Sequence, residues 1–439
     1  METIKILDLF AGVGGLSLGF ELVKDDFGKN IFELHRAVEI DEYATETLKN
    51  RYGKARVIKG DITKFAIAKQ IIDDCKGKVS VVVGGIPCQS FSLIGPRSGF
   101  GKKMEKFQAD NRDNLYEHFR DIVAEIKPNV IVIENVKGIL SKKDFKGELI
   151  INKIFSDFET LGYNFENDYN NKKYMLLDSA DYGVPQRRER VILIGIKREW
   201  KDIKVPYIYP THYDPQSKEK EILEKKGLKP HVTLFEAIGD LPKVHPKITY
   251  TGLSKNMVTR VKKRNPLINR GNNKIEIDLT SYYKHIERVN DSGKLFLKHV
   301  RPNGYNYIDY HIARSQQLSD IKLFSLLKEG ETAKEFVERA PKTANKLIKY
   351  DMNSFLDKYR RQSWDSTSTT IFAHLEKDGN RFIHPIYPRT YTPREAARIQ
   401  SFPDDFVFCG PTNKKFKQIG NAVPPLLSKA IASSVKKIL

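Results

Sequence analysis

Short apolar runs that each end on an acid or a thiol recur along the first third of the chain. Residues 4–7 (Ile-Lys-Ile-Leu) are closed by Asp8, residues 36–38 by Glu39 and residues 130–133 (Val-Ile-Val-Ile) by Glu134. Residues 56–60 lead to Asp61, and residues 79–87, with the run Val-Ser-Val-Val-Val, lead to Cys88. Apolar runs of this length suit strands covered on both faces. Segments with helical spacing lie between them, at 16–23, 43–51, 67–75, 115–126 and 152–161. The alternation predicts βαβ units and a parallel sheet. Ligands of such sheets gather beyond the carboxyl ends of the strands. The five polar residues are therefore expected along one rim, as three ligand-binding acids, one thiol and one proton donor.

The rhythm then changes. Residues 173–178 and 190–197 read as two strands around the turn-rich link Tyr182-Gly183-Val184-Pro185, which predicts a hairpin at the sheet edge. Pro206, Pro210, Pro215 and Pro230 interrupt the next stretch, and the charged run 218–226 reads as a solvated helix or loop. From 205 to 355 there is neither a repeat nor an α/β rhythm. Order returns with Thr392-Pro393-Arg394-Glu395, a capping box with proline at the first helical position. That helix should end before Pro403. A terminal amphipathic helix is expected over 426–438. The predicted fold is α/β: a doubly wound, mostly parallel sheet joined to a second, smaller, irregular basic domain. The expected segments are 1–204, 205–355, and 356–439 returning to the first domain.

Charge sharpens this division. The net charge is +20 over 439 residues. Residues 1–200 are near balance, with 32 Lys+Arg against 30 Asp+Glu, whereas residues 201–439 hold 43 against 25. The densest stretch, 251–300, has 11 basic and 4 acidic residues. One half that does chemistry and another that holds a polyanion would produce this asymmetry. No apolar run approaches the roughly 20 residues that span a bilayer. The start, Met1-Glu2-Thr3-Ile4-Lys5, leads directly into a strand, so no secretory signal is expected. Cys75, Cys88 and Cys409 are too few and too scattered for a disulfide framework or a zinc site. A cytoplasmic, reducing setting follows, in which one well-placed cysteine becomes a candidate nucleophile.

Asp8-Leu9-Phe10-Ala11-Gly12-Val13-Gly14-Gly15 supplies a glycine-rich turn before a helix, where backbone can approach a ligand closely. The third glycine is misplaced for a dinucleotide fingerprint, and no Lys-Ser/Thr pair marks a phosphate loop. Glu39 stands where an acid accepts from ribose hydroxyls, and Asp61 where one can accept from the exocyclic amine of adenine. Together they fit an adenosine-containing cofactor. Taken singly, each acid is better explained as a helix N-cap. Gly84-Gly85-Ile86-Pro87 holds Cys88 in a constrained loop, the setting of accessible, reactive thiols. Cys75 lies in a helical run and reads as packing, while Cys409 suggests no role. Glu134, against an apolar strand end, is expected to have a raised pKa and to donate to a ring nitrogen. Gln186-Arg187-Arg188-Glu189-Arg190 adds donor forks suited to phosphates and carbonyls.

These segments, in this order, resemble the blocks of S-adenosylmethionine-dependent DNA (cytosine-5)-methyltransferases of the bacterial type II restriction-modification type. The matching blocks are the Asp8–Gly15 octapeptide, Glu39, Gly60-Asp61-Ile62, Pro87-Cys88-Gln89, Glu134-Asn135-Val136 and the 186–190 cluster. Thr392-Pro393-Arg394-Glu395 with Arg398-Ile399-Gln400-Ser401-Phe402-Pro403, and Gln418-Ile419-Gly420-Asn421-Ala422-Val423-Pro424-Pro425, complete the set. The match covers 1–200 and about 360–439. It implies that Cys88 is the nucleophile, that Glu134 assists at N3 of cytosine, that Arg190 meets its O2, and that Arg188 serves phosphates or the same pocket. It implies cofactor contacts at Asp8, Phe10, Gly12, Gly14, Gly15, Glu39, Ile40, Asp61 and Ile62. Phe10 would stack on adenine, Ile40 would flank it, and Asn421 would anchor the loop that returns the C-terminal helix. Segment 205–355 takes the place of the target-recognition region.

The implied partners are S-adenosylmethionine, double-stranded DNA and a functionally paired restriction endonuclease that forms no stable complex. No membrane partner is expected, and the protein should be a monomer. Arg260, Arg264, Arg270, Asn272 and Arg301 fall in the basic region, but their order does not say which reach base edges. Two other readings stand beside this one. The first is an RNA cytosine-5 methyltransferase, disfavoured by an insert of about 150 residues. The second is a catalytically idle DNA-binding relative, disfavoured because every chemical position is filled.

Overall fold

The computed structural model describes residues 3–87, 115–144, 147–199, 203–246, 248–249, 274–276, 278–302, 305, 307–348 and 358–439. These form two compact units. The first comprises Met1–Val184, Arg188–Tyr213 and Ala422–Leu439, and the second comprises Pro185–Arg187 and Asp214–Asn421.

The first unit is built on an eight-stranded sheet: β1 (Ile4–Leu9), β2 (Phe32–Glu39), β3 (Val57–Lys59), β4 (Val81–Gly85), β5 (Val130–Val136), β6 (Tyr163–Asn164), β7 (Met175–Asp178) and β8 (Glu189–Lys197). The order is β3-β2-β1-β4-β5-β8-β6, with β7 also on β8. The first five strands in this order run parallel, and β8 is antiparallel to β5. Both β6 and β7 are antiparallel to β8. The expected two-stranded pairing of 173–178 with 190–197 is present, with Met175 opposite Ile192. Its second strand is not at the edge, however, because β8 also pairs with β5 along Val130–Val136. Alternating apolar residues on both faces of β8, Ile192, Ile194 and Ile196 on one and Val191 and Leu193 on the other, favour that interior place.

Helices cover both faces. Their ranges are α1 (Gly15–Glu21), α2 (Glu42–Tyr52), α3 (Phe65–Cys75), α4 (Leu115–Ile126) and α5 (Ile150–Thr160). Leu16 and Phe20 of α1, Leu48 of α2, and Leu427, Ile431 and Val435 of the C-terminal helix Pro425–Lys436 pack on Ile6, Val81, Val83, Val130 and Val132. On the other face α3, α4 and α5 supply Ile71, Phe119, Ile122, Phe155 and Phe158 against Leu7, Leu9, Val82, Ile131 and Ile133. Each such side chain contributes about 1.5–3 kcal/mol on burial. Cys75 is buried in this layer, and burial pushes its thiol up to about 12, as befits packing.

Gly15 and Gly19 admit the C-terminal helix. A Cβ on Gly15 would lie 2.2 Å from the Val423 carbonyl oxygen, and one on Gly19 would lie 2.2 Å from Ser428 Cβ. Ser428 Oγ donates to the Leu16 carbonyl at 2.7 Å. The last 18 residues are thus an integral layer of the first unit.

The second unit combines short helices with strand pairs of two or three residues. Thr392 caps the helix Pro393–Ile399 with the predicted box, Glu395 closing it. Two similar boxes, Thr233 with Glu236 and Thr332 with Glu335, start helices where the sequence suggested no rhythm. Buried charges hold the unit together. Arg398 donates to Asp240 and to Asp404, and Arg301 meets the same two carboxylates. Burial opposes the charge on Arg398, but the two carboxylates more than offset it and hold its proton tightly. Among the described residues no helix is long and apolar enough to cross a membrane.

Candidate functional site

The sheet order reverses direction at β1. The chain leaves β1 toward β2 and β3 on one side, then returns to β4 on the other. Sheets of this order bind ligands beyond the carboxyl ends of the strands at such a reversal, here the ends of β1 and β4. The register pairs Leu9 with Gly84. This brings the glycine loop beside the strand that leads to Cys88. Cys88 itself lies outside the described residues.

Three left-handed residues shape the glycine loop: Phe10 (φ 58°), Gly12 (φ 57°) and Gly14 (φ 82°). Phe10 has a side chain in a region that favours glycine, a conformation that persists only where its surroundings hold it. Ala11 N–H donates to Val38 O at 3.0 Å and Gly14 N–H to Ala11 O at 2.8 Å. The Glu39 carboxylate fixes the other side, accepting from the N–H groups of Gly12 (2.8 Å), Ile40 (2.9 Å) and Asp41 (2.7 Å). Burial pushes the Glu39 pKa up, against these three donors. Ile40 next to it is 63% exposed, an apolar surface at the strand end. Beneath the loop, Gly14 rests on Leu48 and Tyr52 of α2.

Asp8 is fully buried at the end of β1. Ser17 Oγ donates to its Oδ2, while Oδ1 meets no hydrogen-bond partner among the described residues. Burial pushes its pKa up to about 7. Asp61 accepts from Thr63 N–H at 3.0 Å and Thr63 Oγ1 at 2.8 Å, and the Thr63 backbone bond holds its pKa down. Asp61 is thus not the helix N-cap that it suggests when taken singly, a place held by Lys64, but closes the turn before that helix. Ile62 is buried beside it. Gly15 is explained by the approach of Val423. Asn421 is exposed at the end of the helix Thr412–Asn421, the last residue of the second unit.

A second group lies at the end of β5. The register sets Gly85 beside Glu134 and Val136 beside Arg190. Arg190 Nε pairs with Glu134 Oε1 at 2.7 Å, with both side chains 11% exposed. Arg188 is buried and donates through Nη2 to Ala422 O at 3.1 Å. Burial lowers the proton affinity of both arginines; in Arg188 the neighbouring Arg190 adds to this, and Glu134 opposes it in both. Two largely buried guanidiniums with one carboxylate paired to Arg190 leave positive charge to spare. Such an arrangement favours a carbonyl oxygen, a phosphate or developing negative charge.

Sequence reasoning missed the Glu134–Arg190 pair and the Ser17–Asp8 bond. The first depends on cross-strand register. The second had a local signal, a serine one helical turn into α1. Arg301, weighed above among residues that reach for DNA, is instead buried against Asp240 and Asp404. Arg260, Arg264, Arg270 and Asn272 lie outside the described residues.

The family model for C-5 cytosine-specific DNA methylases matches residues 4–437. The chain is 34% identical to M.OihORF3336P of Oceanobacillus iheyensis, across 99% of this chain and 95% of that protein. It is 30% identical to the type II methyltransferase M.AgeI of Thalassovita gelatinovora, across 99% of each. A solved prophage-encoded protein of E. coli shares the fold with a TM-score of 0.65 at 24% identity, with 99% of each chain covered.

Proposed function

Because the chain belongs to the C-5 cytosine-specific DNA methylase family, we propose that its first unit methylates C5 of cytosine in duplex DNA through a covalent bond to Cys88. The register that carries Glu134 and Arg190 to the strand end three residues before Cys88 is the observation that supports it most. Cytosine C5 is a weak nucleophile. Addition of the Cys88 thiolate to C6 moves the C5–C6 electron pair toward C5, one hard step thus becoming easier ones. Glu134, oriented by Arg190, shares a proton with N3 as the sulfur adds. Arg190 also faces O2, and Arg188 adds positive charge. After alkylation a base, water among the candidates, removes the C5 proton. The electron pair restores C5=C6 and expels the thiolate. The stacked duplex hides all these atoms, so the cytosine must be flipped out at a few kcal/mol.

The glycine loop fits S-adenosylmethionine, which supplies an electrophilic methyl group on a sulfonium sulfur. The unpartnered Asp8 Oδ1 suits a cationic donor, Glu39 the ribose hydroxyls, and Phe10 and exposed Ile40 the adenine faces. Gly12, Gly14, Gly15 and Ile62 shape the loop, Asp61 accepts from the adenine amine, and Asn421 anchors the return to the C-terminal helix. Segment 205–355 reads the target, and its basic residues offset the flipping energy through phosphate contacts. The protein acts as a cytoplasmic monomer that protects DNA from a paired endonuclease without binding it stably.

Cys88→Ser should abolish tritiated-methyl transfer to duplex DNA while leaving S-adenosylmethionine binding intact. Turnover near the wild-type rate in that variant would overturn the nucleophile.

A further inference from the structure

We propose that Gln186 and Thr370 are positioning residues for Arg188 and Arg190, an inference that rests on the cytosine-methylation reading of those arginines. The chain enters the second unit at Pro185 and leaves it after Arg187. An isolated parallel bridge between Gln186 and Ser368 holds these three residues. Arg187 N–H donates to Ser368 O at 3.0 Å, and Ser368 N–H to Pro185 O at 2.9 Å. Thr370 Oγ1 donates to Arg187 O at 2.5 Å. Gln186 is fully buried and uses both ends of its amide. Its Nε2 donates to Ile399 O (3.2 Å) and Gln400 Oε1 (2.6 Å), and its Oε1 accepts from Ile371 N–H (2.8 Å). Gln400 passes the tie on, donating to Ile419 O at 2.7 Å. Arg187 pairs with Asp214, the first residue of another segment of the same unit.

The first unit takes hold at the next residue. Arg188 N–H donates to Asp178 Oδ1 at 2.8 Å, Arg188 O accepts from Ser179 N–H at 3.0 Å, and its guanidinium reaches Ala422 O. Ala422 is where the chain re-enters the first unit. The Gln186–Arg187–Arg188 tripeptide is thus bonded, on its own side in each case, next to the chain crossings at 213/214 and 421/422. A single peptide bond joins Arg187, held in the second unit, to Arg188, held in the first. The hold on 185–187 therefore fixes the chain up to the residue that precedes Arg188. A displacement of about 1 Å at reacting groups can cost on the order of 100-fold in rate, so bonds remote from the chemistry can govern it. Neither Gln186 nor Thr370 needs to touch DNA or cofactor.

The test compares Thr370→Val, which removes the hydroxyl and keeps the shape, with Thr370→Ser, which restores it. Gln186→Glu, which removes both amide donations and keeps the acceptor, is the second probe. The readouts are kcat, the rate of covalent capture by duplex DNA carrying 5-fluorocytosine at the target, the KM for S-adenosylmethionine, and the melting temperature. Thr370→Val should lower kcat and capture rate about fivefold to tenfold, the size of one lost hydrogen bond. Its KM for S-adenosylmethionine should stay at the wild-type value and its melting temperature should fall by no more than the few degrees that one hydrogen bond is worth, with Thr370→Ser close to wild type throughout. Gln186→Glu should fall at least as far. Wild-type capture rates in both Thr370→Val and Gln186→Glu would overturn the positioning role. So would losses that track melting temperature and are not rescued by serine. A wild-type enzyme that forms no adduct would instead remove the methylation reading, and this inference with it.

Discussion

Asp8 is a carboxyl in a place that disfavours its charge, so replacing it with asparagine should help the protein progressively more as pH rises from its unfolded-state pKa through its folded-state one. Burial raises its pKa from an ordinary 3.8 to about 7. A carboxyl with a raised folded-state pKa carries no penalty below pH 3.8, a growing one as pH climbs toward 7, and the full one above. The full shift corresponds to about 4 kcal/mol. Integrated between pH 5 and pH 8, the change is roughly 2–3 kcal/mol. Asparagine can still accept from Ser17, but its amide nitrogen takes the place of the unpartnered oxygen, at a pH-independent cost of about 1–3 kcal/mol. The diagnostic quantity is thus the difference between pH values rather than either value alone. Urea unfolding of cofactor-free wild type and Asp8→Asn at pH 5 and pH 8 measures it. The variant should gain on the wild type by roughly 2–3 kcal/mol between the two conditions. An offset that is equal at both pH values would refute the buried, high-pKa assignment.

Two further changes probe the packing and the chemistry. Gly15→Ala should lower the melting temperature: helix propensity gains less than about 1 kcal/mol, whereas a Cβ placed 2.2 Å from the Val423 carbonyl forces backbone to move, an overpacking cost of about 1–3 kcal/mol. Thermal unfolding that is unchanged or raised would show that the C-terminal helix does not pack as described. Glu134→Gln should reduce kcat for methyl transfer on the order of 100-fold or more, with S-adenosylmethionine binding by equilibrium dialysis unchanged, and retention of wild-type kcat would exclude Glu134 from the chemistry.

Much of the first unit was legible because most of its strands are buried on both faces and so appear as apolar runs, closed or soon followed by a candidate site residue. β2 was only partly visible. Its first half, Phe32-Glu33-Leu34-His35, alternates apolar with polar and lacks such a run. The interior place of β8 and the Glu134–Arg190 pair depend on register between segments more than 50 residues apart, which local patterns do not carry. In the second unit the helices are short and amphipathic within irregular surroundings. Two of them had capping boxes that could have been read, at Thr233-Leu234-Phe235-Glu236 and Thr332-Ala333-Lys334-Glu335. Arg301 misled because a basic residue in a basic stretch looks solvent-facing. Its partners, Asp240 and Asp404, lie 61 and 103 residues away in sequence.

The thiol of Cys88 becoming bonded to cytosine C6 is the central claim, and peptide mapping tests it most directly. Wild-type protein, S-adenosylmethionine and a duplex bearing 5-fluorocytosine in the methylated sequence are combined, digested and examined by mass spectrometry. Fluorine at C5 cannot leave as a proton does, so the adduct should persist, with the nucleotide's mass on the peptide that contains Cys88. Methylation of ordinary DNA by the same preparation, with no adduct or with one mapped to Cys75 or Cys409, would contradict the account.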